Sequence, residues 1–150
     1  MMELITRLDI DLKDAVRRQD VVSRMVLRSI RSDIHYEEIS RQKALDDDAV
    51  VSVISKQVKQ RRESIEEFRK GKREDLVQKE EAELSVLLAY LPLQLTREEL
   101  VIIAQSVIHQ TLAQGMNDKG KVMGQLMPQV KGKADGSLVN DVVTGLLESL

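Results

Sequence analysis

Apolar residues recur at helical spacing along almost the whole chain. In residues 3–18, Leu4, Ile5, Leu8, Leu12, Ala15 and Val16 share one side with charges between them, the period of an amphipathic helix. Asp20 is placed to cap a second helix running to about Lys43, with Val22, Val26, Ile30 and Ile34 at four-residue steps. On roughly the opposite side, at about 100° per residue, Arg24, Arg28, Arg31 and His35 make a narrow polar stripe that reads as a solvated face. Asp46, Asp47 and Asp48 favour the start of a third helix through its dipole. It places Val50, Ile54, Val58, Ile65 and Phe68 on one face and ends near Gly71. A fourth helix follows from about Glu74 to Tyr90, with Val77, Leu84, Leu87, Leu88 and Leu91 inward. Pro92 disfavours helical geometry at Leu91 and stops it.

The next start signal is the strongest in the chain. Thr96 with Glu99 three positions on forms a capping box, and Leu95 with Leu100 a hydrophobic staple. Leu100, Ile103, Ala104, Val107 and Ile108 then mark a fifth helix to about Gln114. One helix is stopped and another separately started between residues 91 and 95, which predicts a domain boundary there: 1–92 and 93–150. Beyond it, Val122, Met123, Leu126 and Met127 read as a short helix interrupted or ended near Pro128. Ser137 is placed to cap a last helix with Leu138, Val142, Leu146 and Leu150 inward. The expected fold is all-α, a larger N-terminal helical domain followed by a small C-terminal three-helix domain. Some 55 residues are marginal for a free-standing core, so the small domain should lean on the first or on a partner.

Composition narrows the chemistry. Hydrophobic residues make up 42% but aromatics only 2%, so the core is built from Leu, Val, Ile and Met. The 23 Lys and Arg against 25 Asp and Glu give a net charge of −2, which provides no bulk attraction to nucleic acid or anionic membrane. With no cysteine, disulfides, thiol catalysis and thiolate metal sites are excluded. His35 and His109 are too few and too distant for a histidine-rich metal site, and no metal or other cofactor is implied. No apolar run reaches the roughly 18 residues of a membrane span. The acidic residues of the opening segment argue against a signal peptide. A cytoplasmic helical protein without membrane contact is the expectation.

Three segments carry candidate chemistry. Residues 115–122, GMNDKGKV, match the spacing of a phosphate-binding loop, but Val122 stands where a magnesium-ligating Ser or Thr belongs, and a helix precedes it instead of a strand. Nucleotide hydrolysis is therefore not inferred. Between Lys119 and Lys133 there are four lysines and no acidic residue, with Gly120, Gly124 and Gly132 among them. Ammonium groups beside bare backbone suit phosphate oxygens, although lysines in a turn-rich connection also serve solubility. In the basic segment 56–73 most charges alternate in sign around the helix as i,i+4 pairs. Arg61 differs, falling inside the apolar stripe between Val58 and Ile65. Its guanidinium is either in an internal ion pair or facing a ligand. No nucleophile with an oriented base is evident, so no catalytic residue is assigned.

Together, KQRRESIEEFRKGKREDLVQKEEAELSVLLAYLP (59–92), LQLTREEL (93–100) and DKGKVMGQLMPQVKGKADGSLVN (118–140) resemble the GatB/YqeY family. This comprises small stand-alone YqeY-like proteins and the homologous tail of the B subunit of aspartyl/glutamyl-tRNA amidotransferase. The resemblance implies an all-α fold in two parts. It also carries a family label, carbon–nitrogen ligase activity with glutamine as amido-N-donor. The parts that activate the tRNA-bound residue and release ammonia have no counterpart here, so the label reads as kinship and enzymatic activity of this chain stays open. The tail serves tRNA recognition, and by position its role falls on Lys119, Gly120, Lys121, Gly124, Lys131, Gly132 and Lys133. What the resemblance implies is a non-catalytic tRNA-associated binding module. The alternative is an interaction adaptor docking on an aminoacyl-tRNA synthetase or an amidotransferase subunit.

Overall fold

The computed structural model describes residues 3–150, and among them every regular element is helical. The chain divides into two compact units, one ending at Leu91 and the other spanning Pro92–Leu150. The first holds α1 (Glu3–Arg17), α2 (Val21–Arg41), α3 (Asp47–Lys70) and α4 (Glu74–Leu88). The second holds α5 (Arg97–Thr111), a 3₁₀ turn (Met116–Asp118), α6 (Lys119–Val130) and α7 (Gly136–Glu148).

Side-chain caps set the starts. The Asp20 carboxylate accepts from the Ser23 amide at 3.1 Å and opens α2, and Asp46 accepts from Ala49 at 2.9 Å and opens α3. At α5 both halves of the capping box are present, Thr96 taking the Glu99 amide while Glu99 reaches back to the Thr96 amide. α2 and α5 end on Gln42 and Leu112, both with left-handed backbone, which closes the last turn by bonding back to earlier carbonyls.

In the first unit Leu8, Val26, Leu27, Ile30, Ile34, Leu45, Val50, Ile54 and Leu87 are buried. Leu27 lies beside the four-residue row of α2 and Leu45 in the loop before α3, so the helical period marks neither. Val16 and Val22, expected inward, are 44% and 40% exposed. Leu4 of α1 is tied to α3 by its amide, which donates to Asp47 at 3.0 Å.

In the second unit Leu100, Ala104, Val107, Val122, Leu126, Val130, Val139, Val142, Val143 and Leu147 form the core. Two local expectations are corrected here. α7 is capped by Asp135, not Ser137, whose amide donates to the Asp135 carboxylate at 3.3 Å. Its buried row is Val139, Val142, Val143 and Leu147, while Leu150 is 63% exposed. Pro128 does not end α6 but lies inside it. The bond it cannot donate would have gone to the Gly124 carbonyl, and both residues face solvent, where an unpaired carbonyl costs little.

Candidate functional site

The glycine–lysine block folds around α6. Lys119 and Lys121 occupy its first turn, and Lys131 and Lys133 follow its last residue. At about 1.5 Å rise per residue, Lys121 and Lys131 stand about 15 Å apart along the axis, so the four ammonium groups bracket the helix and do not converge on one point. Among the described residues none of the four is in an ion pair. Two cations and no carboxylate in a first turn run against the helix dipole and raise the local positive potential. The nearest acid, Asp118, is engaged by the Gln114 amide at 2.8 Å.

The glycines of this block play different parts. Gly120 and Gly124 are one helical turn apart, are exposed, and a Cβ at either would meet nothing within 4 Å. With Pro128 a further turn along, they form a low strip of α6 between Lys121 and Met127. Gly132 has φ 76°, a left-handed conformation that glycine adopts freely. Its carbonyl accepts from the Gln94 side-chain amide at 2.7 Å, and the Lys133 carbonyl accepts from the Leu95 amide at 2.8 Å. The loop after α6 is thereby fastened to the segment that leads into α5, and Gln94 is a contributor that no sequence signal marked.

Arg61 lies in the other unit. Its guanidinium donates to Glu80 at 3.2 Å and to Glu83, both on α4, and the three side chains are only 17%, 18% and 12% exposed. One turn earlier on α3, Gln57 is buried and donates to Asp33 of α2 at 2.6 Å. These polar groups sit between three helices and fix their order. Elsewhere in this unit the Tyr90 hydroxyl donates to Asp11 at 2.6 Å, and the Arg7 guanidinium carbon stacks 4.6 Å from the ring centroid. Burial, reinforced by Asp11, raises the Tyr90 phenol above its ordinary value near 10. Asp20 is held below the usual carboxylate range by its bonds from the Ser23 amide and hydroxyl.

The arginine stripe of α2 is not uniformly solvated. Arg31 pairs with Asp9 of α1 at 2.8 Å, while Arg24 is half-buried and Arg28 and His35 are exposed. Among the described residues no helix is long and apolar enough to cross a bilayer, and no group of three or more His, Asp and Glu is placed to hold a metal ion.

Comparison with known proteins gives the kinship. The chain is 37% identical over 138 residues to altered inheritance of mitochondria protein 41, mitochondrial, of Pyrenophora tritici-repentis, covering 87% of this chain and 73% of the relative. The protein of that name from Eremothecium gossypii is 40% identical over 112 residues, covering 72% of this chain and 61% of its own length. The Saccharomyces cerevisiae one is 30% identical over 122 residues, covering 81% and 63%. The matches thus span between three fifths and three quarters of these relatives. Their mitochondrial names overturn the cytoplasmic expectation, which rested on nothing more than the absence of export and membrane signals. The model of the YqeY-like proteins matches residues 5–147, so the chain belongs to the YqeY-like family.

Proposed function

We propose that this protein is a non-catalytic tRNA-binding module, related to the tail of the tRNA-dependent amidotransferase B subunit, and that it works in mitochondria as its relatives' names suggest. The observation carrying this reading is the lysine-bracketed α6 with its low glycine strip, four ammonium groups in no ion pair among the described residues and no carboxylate in its first turn. A backbone phosphate can approach the glycine face closely while the lysines at either end neutralise its neighbours. Two lysine pairs about 15 Å apart suit a ligand recognised by backbone shape more than by base sequence. The overall charge of −2 keeps such binding local to this element.

Anisotropy titrations with labelled bulk tRNA at two salt concentrations test it. Four phosphate contacts give a slope of log affinity on log salt of roughly −3 to −4. A Lys119/Lys121/Lys131/Lys133→Ala variant should lose most of that slope and bind much more weakly. Equal affinities for wild type and variant would refute the reading.

A further inference from the structure

The outermost line of α2 carries an unusual mixture of residues. The buried row of this helix is Val26, Leu27, Ile30 and Ile34. At about 100° per residue, the positions opposite that row are 21, 25, 28, 32, 35, 36 and 39. They are Val21, Met25, Arg28, Ser32, His35, Tyr36 and Ile39, all exposed. The four apolar or aromatic ones are 51%, 54%, 71% and 59% exposed, where the solvent face of a helix normally bears charges. Val21 and Ile39 stand about 27 Å apart along the axis.

Charge on this face has one sign. Arg24 flanks it, and neither Arg24 nor Arg28 is in an ion pair among the described residues. The Arg24 Nε is buried without an acceptor. The three carboxylates of α2 are already engaged, as are Asp9 of α1 and the capping Asp20 beside it. Asp9 holds Arg31, Asp20 caps the helix, Asp33 accepts from Gln57, Glu37 holds Arg41, and Glu38 accepts from the Leu45 amide. Cations and apolar side chains therefore share one surface with no acid of its own.

We infer that this face docks an acidic amphipathic helix of a protein partner. Apolar residues of that helix would cover Val21 and Met25 at one end and Tyr36 and Ile39 at the other, with carboxylates between them against Arg24 and Arg28. Three arguments select this occupant. Met, Tyr and Arg are the residues enriched at protein interfaces, and Val21 and Ile39 offer nothing to a phosphate backbone. A bilayer takes up an apolar stripe with cations at its flanks, whereas here Arg28, Ser32 and His35 interrupt the apolar row along its middle. A second copy of the same face carries no carboxylate, so it would leave Arg24 and Arg28 without a counter-charge. The surface is independent of the lysines proposed to meet tRNA.

The test is selection of a displayed library of helical peptides, randomised on one face, against the full chain. Enriched peptides should carry apolar residues at i, i+3 or i+4 and i+7 with Asp or Glu between them. Arg28→Glu should weaken the best peptide at least tenfold, and Met25→Ser and Ile39→Ser each severalfold. All three should leave the melting temperature unchanged, because the side chains are exposed. A peptide with its central carboxylates exchanged for Arg should regain binding to the Arg28→Glu variant. The four-lysine variant should bind the selected peptides like wild type, which separates this surface from the tRNA reading. No enrichment, enrichment without carboxylates, or equal binding to Arg28→Glu would overturn the inference. Loss of binding to bulk tRNA or phosphatidylglycerol vesicles on Arg28→Glu, with peptide binding intact, would overturn it too.

Discussion

Replacing Arg61 by Ala removes the cation paired with both Glu80 and Glu83 and leaves these two carboxylates, 18% and 12% exposed, without it. Breaking a buried pair by deleting one partner costs about 3–5 kcal/mol, against about 0–1 for an exposed pair. With the guanidinium itself 17% exposed, the lower end applies, about 3 kcal/mol. For a unit of this size 1 kcal/mol moves a midpoint by roughly 4–8 °C, so the first unit should melt at least about 10 °C earlier. Arg62, about 100° around the helix, is in no ion pair among the described residues. Arg62→Ala should cost within about 0.5 kcal/mol. Arg61→Lys should fall between them, since an ammonium lacks the fork that reaches two carboxylates. Raising salt should barely change the Arg61→Ala deficit, because pairs withdrawn from solvent are weakly screened. Circular dichroism of the full chain on heating follows all three variants. Equal, small shifts for Arg61→Ala and Arg62→Ala would refute the structural role. An Arg61→Ala protein that melts normally but binds tRNA or peptide more weakly would show that the guanidinium serves a ligand.

The Tyr90 phenol, raised above 10 by burial and Asp11, stays protonated in the fold after the unfolded chain begins to ionise. Its contribution is complete below pH 10 and is lost progressively above it, so urea midpoints should fall more steeply there for wild type than for Tyr90→Phe. Gly120→Ala and Gly124→Ala meet open space and should each stabilise α6 by about 0.5–1 kcal/mol, while the tRNA reading expects the pair to weaken tRNA binding. Gly132→Ala puts a side chain on left-handed backbone and should destabilise the second unit by about 1–2 kcal/mol in urea titrations.

Three of the four helix starts capped by a side chain were legible, the exception being α7, where Asp135 and not Ser137 is the cap. Asp20, Asp46 and Thr96 all cap as their positions in the sequence indicate, because the bonds involved span only three residues. The interior row of α7 was less so. Leu138 and Leu146 compete with Val139, Val143 and Leu147 on either side of Val142, which is buried as expected, and packing against α5 and α6 selects the second row. Leu45 illustrates the same limit from a loop, where no period exists to mark it. At the candidate site the block 118–140 reads as one motif, yet its glycines answer to different constraints. Gly132 is required by the fold: its φ of 76° presents a carbonyl to Gln94, 38 residues away, a contact that no local pattern encodes. Among the described residues nothing crowds Gly120 or Gly124, so alanine fits at both and would strengthen the helix. On the tRNA reading proposed above, that space is what a backbone phosphate would occupy. That distinction needs the neighbours' positions as well as the residue type, and it moves the weight of the functional argument from the lysines alone to the glycine strip between them.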